Sequence, residues 1–115
     1  MQKLIFAFLI PFQLIAAPIC KEWSTPEAIG ELDVELLPEA SGLAISRNYS
    51  NRVYHHNDSG DEGIFYVTNQ KGKTLQSVSI VGFDPIDVED MTLGPCGREN
   101  DCLFFGDIGD NDSER

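Results

Sequence analysis

The sequence predicts an all-β chain, on three observations. From Ala40 onward, apolar and β-branched residues come in runs of about five, separated by clusters of Asn, Asp, Gly and Ser. No stretch after Ala40 sustains a helical apolar stripe of useful length. The order of runs and turns also restarts after about 49 residues, as stacked β-repeats do.

The elements follow in order. Met1-Gln2-Lys3 carries one positive side chain, Leu4 to Ile15 is apolar apart from Gln13, and the small residues Ala16 and Ala17 follow. That layout predicts a signal peptide over residues 1–16, cut after Ala16 because a cut after Ala17 would put Pro18 at the scissile bond. The run is short for a bilayer, which needs roughly 20 apolar residues, and Pro11 interrupts it. Pro18-Ile19 ahead of Cys20 lacks the small residues of a lipoprotein signal. The expected location is periplasmic or extracellular, with no membrane attachment after cleavage.

Residues 17–40 form an extended lead-in punctuated by Pro26 and Pro38, with one strand expected over Asp33 to Leu37. Gly42 to Ser46 is the next short run, then the turn Asn48 to Asn51. Arg52 to His56 is a second run, ended by Asn57-Asp58-Ser59-Gly60-Asp61. Ile64 to Thr68 is a third, and Asn69 to Lys73 turns it into a fourth, Thr74 to Val81. The pattern then repeats. Ser41 to Ile45 is echoed by Glu89 to Leu93, and Val53 to Asp61 by Leu103 to Asp110.

Four short strands per period, with apolar faces that stack on neighbours, is what a β-propeller blade requires. Residues 41–115 therefore read as a β-propeller fragment of about one and a half four-stranded antiparallel blades, the first complete and the second truncated. A ring needs at least about four blades. The expectation is a truncated gene product or fragment, or a chain that completes its ring with other chains.

Cleavage would remove one of the eight basic residues and none of the 19 acids, taking the formal charge from −11 to −12. Such a surface repels nucleic acid, whose phosphates need clustered Lys and Arg. Cys96 and Cys102 flank a loop of turn-forming residues, Gly97 to Asp101, so a disulfide across its mouth is expected in an oxidising compartment. Cys20 is left odd, free or paired outside this chain.

Four segments carry a family likeness: Glu39-Ala40-Ser41-Gly42-Leu43-Ala44, His56-Asn57-Asp58-Ser59-Gly60-Asp61, Asp87-Val88-Glu89-Asp90-Met91 and Gly106-Asp107-Ile108-Gly109-Asp110-Asn111. Together they resemble the N-terminal part of exported bacterial β-propeller proteins described as phytase-like or esterase-like. The likeness covers Glu39 to Asn111, with Val88 and Met91 standing where the family shows Trp and Ile. The resemblance implies a longer parent protein. It also implies acids that hold calcium bridging a phosphorylated substrate.

The residues themselves point to the acidic turns. Asp58, Asp61, Glu89, Asp90, Asp107, Asp110 and Asn111 offer the hard oxygen ligands that Ca2+ prefers, and equivalent acids of successive blades would converge on one rim. The same residues also build tight turns by capping their own backbone. Asp110-x-Asp112-x-Glu114 resembles the start of a calcium loop but lacks the glycine that follows.

At most one of His55 and His56 can face a shared site, since strand neighbours point to opposite sides. Ser59 beside Asp58 and His56 lacks the Gly-x-Ser-x-Gly elbow of a hydrolase. Asn48, Asn57 and Asn111 each begin a glycosylation tripeptide.

The expected function is an exported acidic β-propeller segment that binds calcium through its acidic turns, without catalysis of its own. The alternatives are a metal-dependent phosphoesterase of phytase type and a protein-interaction scaffold using an exposed strand edge. The phosphoesterase would need cations beside the acids, whereas Arg52, Lys71, Lys73 and Arg98 are few and scattered.

Overall fold

The computed structural model describes residues 22–58, 62–98, 100–111 and 113. The expected signal peptide over 1–16, Cys20, Ser59, Asp61, Asp112 and Glu114 lie outside the described residues. The chain is all-β, as two antiparallel sheets. Strands β1 (Ala40–Ile45), β2 (Val53–Asn57), β3 (Ile64–Thr68) and β4 (Thr74–Ser79) form one sheet in sequence order. Strands β5 (Val88–Cys96) and β6 (Asn100–Asp107) form the second. No closed sheet and no helix occurs among the described residues, so none is long and apolar enough to cross a membrane.

The lead-in departs from expectation. Val34 to Leu36 is a turn and no strand covers Asp33 to Leu37. The Asp33 carboxylate accepts the Glu35 N–H at 3.0 Å and the Asp33 carbonyl accepts the Leu37 N–H at 2.8 Å, which closes the backbone on itself. The turn drives Leu37 into the core. Asn57 holds it there, donating from Nδ2 to the Leu36 carbonyl at 3.0 Å.

Register sorts the first sheet into two faces. Leu43 opposite His55 and Ile45 opposite Val53 share one face, and Ala44 opposite Tyr54 lies on the other. The second sheet packs on the Ala44 and Tyr54 side. Phe105 of β6 meets His56, Phe65 and Phe83 with ring centroids 6.0, 6.1 and 5.7 Å apart, distances at which tilted aromatic pairs attract. β1 and β5 run closest, with the Ser41 hydroxyl donating to the Glu89 carbonyl at 2.8 Å. Gly42 permits this approach, since a Cβ there would strike His56 Nε2 and crowd the Met91 N–H. At the other end of the stack Arg47 forms an ion pair with Asp101, whose exposed half is worth no more than ~1 kcal/mol.

The two hairpins repeat each other in detail. Each has a register shift at the start of its first strand, between Ala40 and Leu43 and between Val88 and Asp90. In the first, the Glu39 N–H donates to Asn57 Oδ1 at 3.4 Å and the Asp58 N–H to the Glu39 carbonyl at 3.0 Å. In the second, the Asp87 N–H donates to Asp107 Oδ1 at 2.8 Å and the Gly109 N–H to the Asp87 carbonyl at 3.0 Å.

The Cys96–Cys102 disulfide is present, with Cα atoms 5.6 Å apart. The strands run further into the expected loop than the sequence indicated. Gly97, at φ +77°, makes a tight reversal, and the disulfide joins diagonal positions across it, since Cys96 lies opposite Asn100. Closing a loop with sequence separation 6 stabilises the hairpin by about 2 kcal/mol.

Two consequences can be measured. Gly42→Ala is expected to destabilise the chain by about 1–3 kcal/mol, because both atoms facing the new methyl are packed. An unchanged urea midpoint would show that β1 and β5 are not tightly apposed. His55 supplies the second. Its buried ring donates from Nε2 to Thr68 Oγ1 at 3.0 Å, whose own hydrogen goes to the Asn69 carbonyl. Burial, and then the neighbouring His56, hold its pKa below the ordinary 6.5. The stability this contributes is complete above the unfolded value and is lost as pH falls from there through the folded value. The urea midpoint should fall as pH drops through 6.5 and below, with a shallower fall in His55→Gln. Equal slopes in the two proteins would exclude His55 as the source.

Candidate metal centre

Three carboxylates converge where β2 ends and β5 begins. Asp58 follows β2, Asp87 precedes β5, and Glu89 is the second residue of β5. One oxygen from each lies within 4.8 Å of the others. The first sheet thus supplies one ligand and the second sheet two.

The local structure explains why they meet. Asp107, at the end of β6, accepts the N–H groups of Ile86 and Asp87 at 3.2 and 2.8 Å, which fixes the entry of β5. Asp87 precedes β5 and Glu89 sits in its bulge, which leaves one oxygen of each within 4.8 Å of the other. The Gly109 backbone then folds over them, so close that a Cβ there would fall on the Asp87 carboxylate and within 2.5 Å of Glu89 Oε1. Only a residue without a side chain lets that backbone cover the pair.

Asp87 is the unusual member. It is 4% exposed, and its Oδ1 has no hydrogen-bond donor. A buried carboxylate oxygen without a donor beside two further acids raises the free energy of the folded state, unless a cation or proton offsets it. The described basic residues lie elsewhere. Arg47, Arg52, Lys71, Lys73 and Arg98 all sit in or beside the β1–β2, β3–β4 and β5–β6 turns, at the opposite end of the sheets. Arg47 pairs with Asp101 there, and Arg52 stacks over the Tyr49 ring at 5.1 Å.

The candidates named from the sequence separate accordingly. Asp58 and Glu89 are in the cluster. Asp61 lies outside the described residues. Asp90 projects from the bulge of β5 and accepts the Met91 N–H at 2.7 Å, and Asp107 serves the backbone as above. Asp110 and Asn111 lie exposed after β6, where the Asp110 carbonyl accepts the Ser113 N–H at 3.0 Å. Asp87 was missed as a ligand. Strand alternation could not have carried the signal, because the bulge between Val88 and Asp90 interrupts it at Glu89.

His55 and His56 face opposite sides, as alternation requires. His56 donates from Nδ1 to the Asn57 carbonyl at 2.6 Å, and its Nε2 is buried without a partner against Gly42. Asn57 is buried and donates to the Leu36 carbonyl, so its side-chain amide is not accessible for glycosylation in the folded chain.

Compared with family models, with curated proteins and with solved structures, the chain finds no match in any of the three.

The cluster makes one prediction of unusual sign. In metal-free buffer Asp87→Asn should raise stability, by about 1 kcal/mol, because it removes a desolvated charge and places amide hydrogens beside Asp58 and Glu89. A lower urea midpoint in the absence of divalent cations would mean that the Asp87 charge is already compensated.

Proposed function

We propose that this chain is an exported acidic β-repeat module of propeller type that binds Ca2+ between its two sheets. The observation that carries the proposal is the buried Asp87 carboxylate, with an unpartnered oxygen, held against Asp58 and Glu89. Two oxygens bound at about 2.4 Å to one Ca2+ ion lie at most about 4.8 Å apart, and one oxygen from each of the three acids lies within 4.8 Å of the others. Mg2+ would demand shorter bonds and near-octahedral geometry, which three carboxylates on two independent sheets are poorly arranged to supply.

In this role the ion is structural. It would join the end of β2 to the start of β5 and neutralise charge that otherwise pushes the sheets apart. Glu89 is exposed, so water can complete the coordination shell. The propeller reading is supported by the meander order of the first sheet, the face-to-face stack and the repeated hydrogen-bond pattern of the two hairpins. Export and a periplasmic or extracellular location are supported by the leader-like N-terminus and agree with the disulfide. The phytase-like resemblance is consistent with an acidic calcium rim. Its phosphoesterase chemistry gains no support from cations that gather at the opposite end.

Calorimetry on the exported chain tests the proposal directly. Extracellular modules of this kind bind at roughly 0.1–1 mM, so saturating Ca2+ should release heat and raise the thermal midpoint. Asp87→Asn should lose both effects while keeping the β spectrum by circular dichroism. No heat with wild type, or the same midpoint shift in the variant, would overturn the assignment.

A further inference from the structure

The β5–β6 hairpin is tied to the first sheet at both of its ends. At its base, Asp87 and Glu89 meet Asp58, which follows β2. At its tip, Asp101 reaches the β1–β2 turn. The Arg47 guanidinium grips the Asp101 carboxylate as a fork, donating from Nη2 to Oδ1 at 2.6 Å and from Nε to Oδ2 at 3.2 Å. Asn48 Nδ2 donates to the same Oδ2 at 3.3 Å.

The Cys96–Cys102 disulfide stands beside this second tie. Cys102 follows Asp101, and Asp101 lies opposite Pro95, the residue before Cys96. The bond therefore holds Asp101 to its place on the ladder. An unbroken register runs from there, from Cys96 opposite Asn100 to Asp90 opposite Gly106, and ends at the bulge that carries Glu89. Fixing the tip thus restricts the same two strands that present Asp87 and Glu89 and lead into the covering Gly109.

We infer that the disulfide and the Ca2+ site are coupled, so that reduction weakens Ca2+ binding and bound Ca2+ resists reduction. The coupling rests on the Ca2+ site proposed for Asp58, Asp87 and Glu89. That site spans the two sheets, so it is complete only while the hairpin is docked. Without the bond, Asp101 is held less firmly, and the docked arrangement is a smaller fraction of the metal-free chain. Apparent affinity falls by that fraction, and linkage makes the effect of Ca2+ on the bond equal and opposite. An exported chain then gains its full Ca2+ affinity only once the bond has formed.

The reductant is a dithiol. Both cysteines are partly exposed beside the turn, where its thiolate can reach them. That thiolate attacks one sulfur to give a mixed disulfide, and the second thiolate of the reductant then breaks it. Two electrons and two protons pass to the chain as two thiols, and the reductant leaves as its own disulfide.

Calorimetry on the full exported chain reads the coupling in one direction. Cys96→Ser combined with Cys102→Ser is expected to bind Ca2+ about 5–10-fold more weakly than oxidised wild type, with the same β spectrum at saturation. Asp101→Ala, which keeps the bond and loses the tie at the tip, should weaken Ca2+ as well. Titration with dithiothreitol, with free thiols trapped by alkylation, reads the other direction. Saturating Ca2+ should shift the wild-type equilibrium toward the disulfide by the same factor, relative to chelator. Equal Ca2+ affinity with and without the bond, in folded proteins, overturns the coupling and leaves the metal site standing. Unchanged affinity in folded Asp101→Ala overturns the route through the tip. Absence of Ca2+ heat with oxidised wild type overturns the metal site, and the coupling with it. If the double variant does not fold, the wild-type titration decides, and a thiol fraction indifferent to Ca2+ overturns the inference.

Discussion

The close approach of β1 to β5 is the contact on which the rest of the molecule depends. The two-stranded sheet alone has too few strands to be stable in water, and the four-stranded sheet needs its apolar face covered. Stacking gives both a covered face, and the geometry of the stack is set where Gly42 lets the Met91 backbone and the His56 ring come together. From that point outward, Phe105 gathers His56, Phe65 and Phe83 into the shared core. A side chain at position 42 would separate the sheets and, with them, the carboxylates of Asp58 and Glu89.

The same apposition accounts for the charge arrangement. Antiparallel sheets put alternate connections at opposite ends, and the described Lys and Arg residues occupy the turns at one end. The acids Asp58, Asp87 and Glu89 meet at the other, away from those basic residues. Sequestering Asp87 there lowers intrinsic stability, a cost that folded proteins carry mainly where a ligand offsets it. Gly109 and Asp107 hold the arrangement in place, one by covering the carboxylates closely and the other by fixing the strand that bears them.

Much of the strand order was legible in advance because the runs are short, β-branched and separated by turn clusters. Val53 to Asn57 and Ile64 to Thr68 follow that pattern closely. Asp33 to Leu37 did not, because apolar residues and an acid in series do not distinguish a strand from a turn closed by the acid's own carboxylate. The reach of β5 and β6 into the expected loop was also hidden. It depends on Gly97 reversing the chain at positive φ beneath the disulfide. Within the site, Asp58 and Glu89 were evident as acids beside turns. Asp87 was not, because its place beside Glu89 depends on the bulge between Val88 and Asp90, which no residue pattern announces.

The sequence by itself determined the β class, the succession of strands and turns, and the excess of acid, because these rest on local propensity and composition. It determined the Cys96–Cys102 pairing for the same reason, since the two residues are close along the chain. Only the tertiary structure decided which acids meet and which is buried. Asp58 and Asp87 belong to different sheets, and their proximity follows from how β1 packs on β5. Packing across sheets depends on side chains far apart in sequence, so no local pattern encodes it.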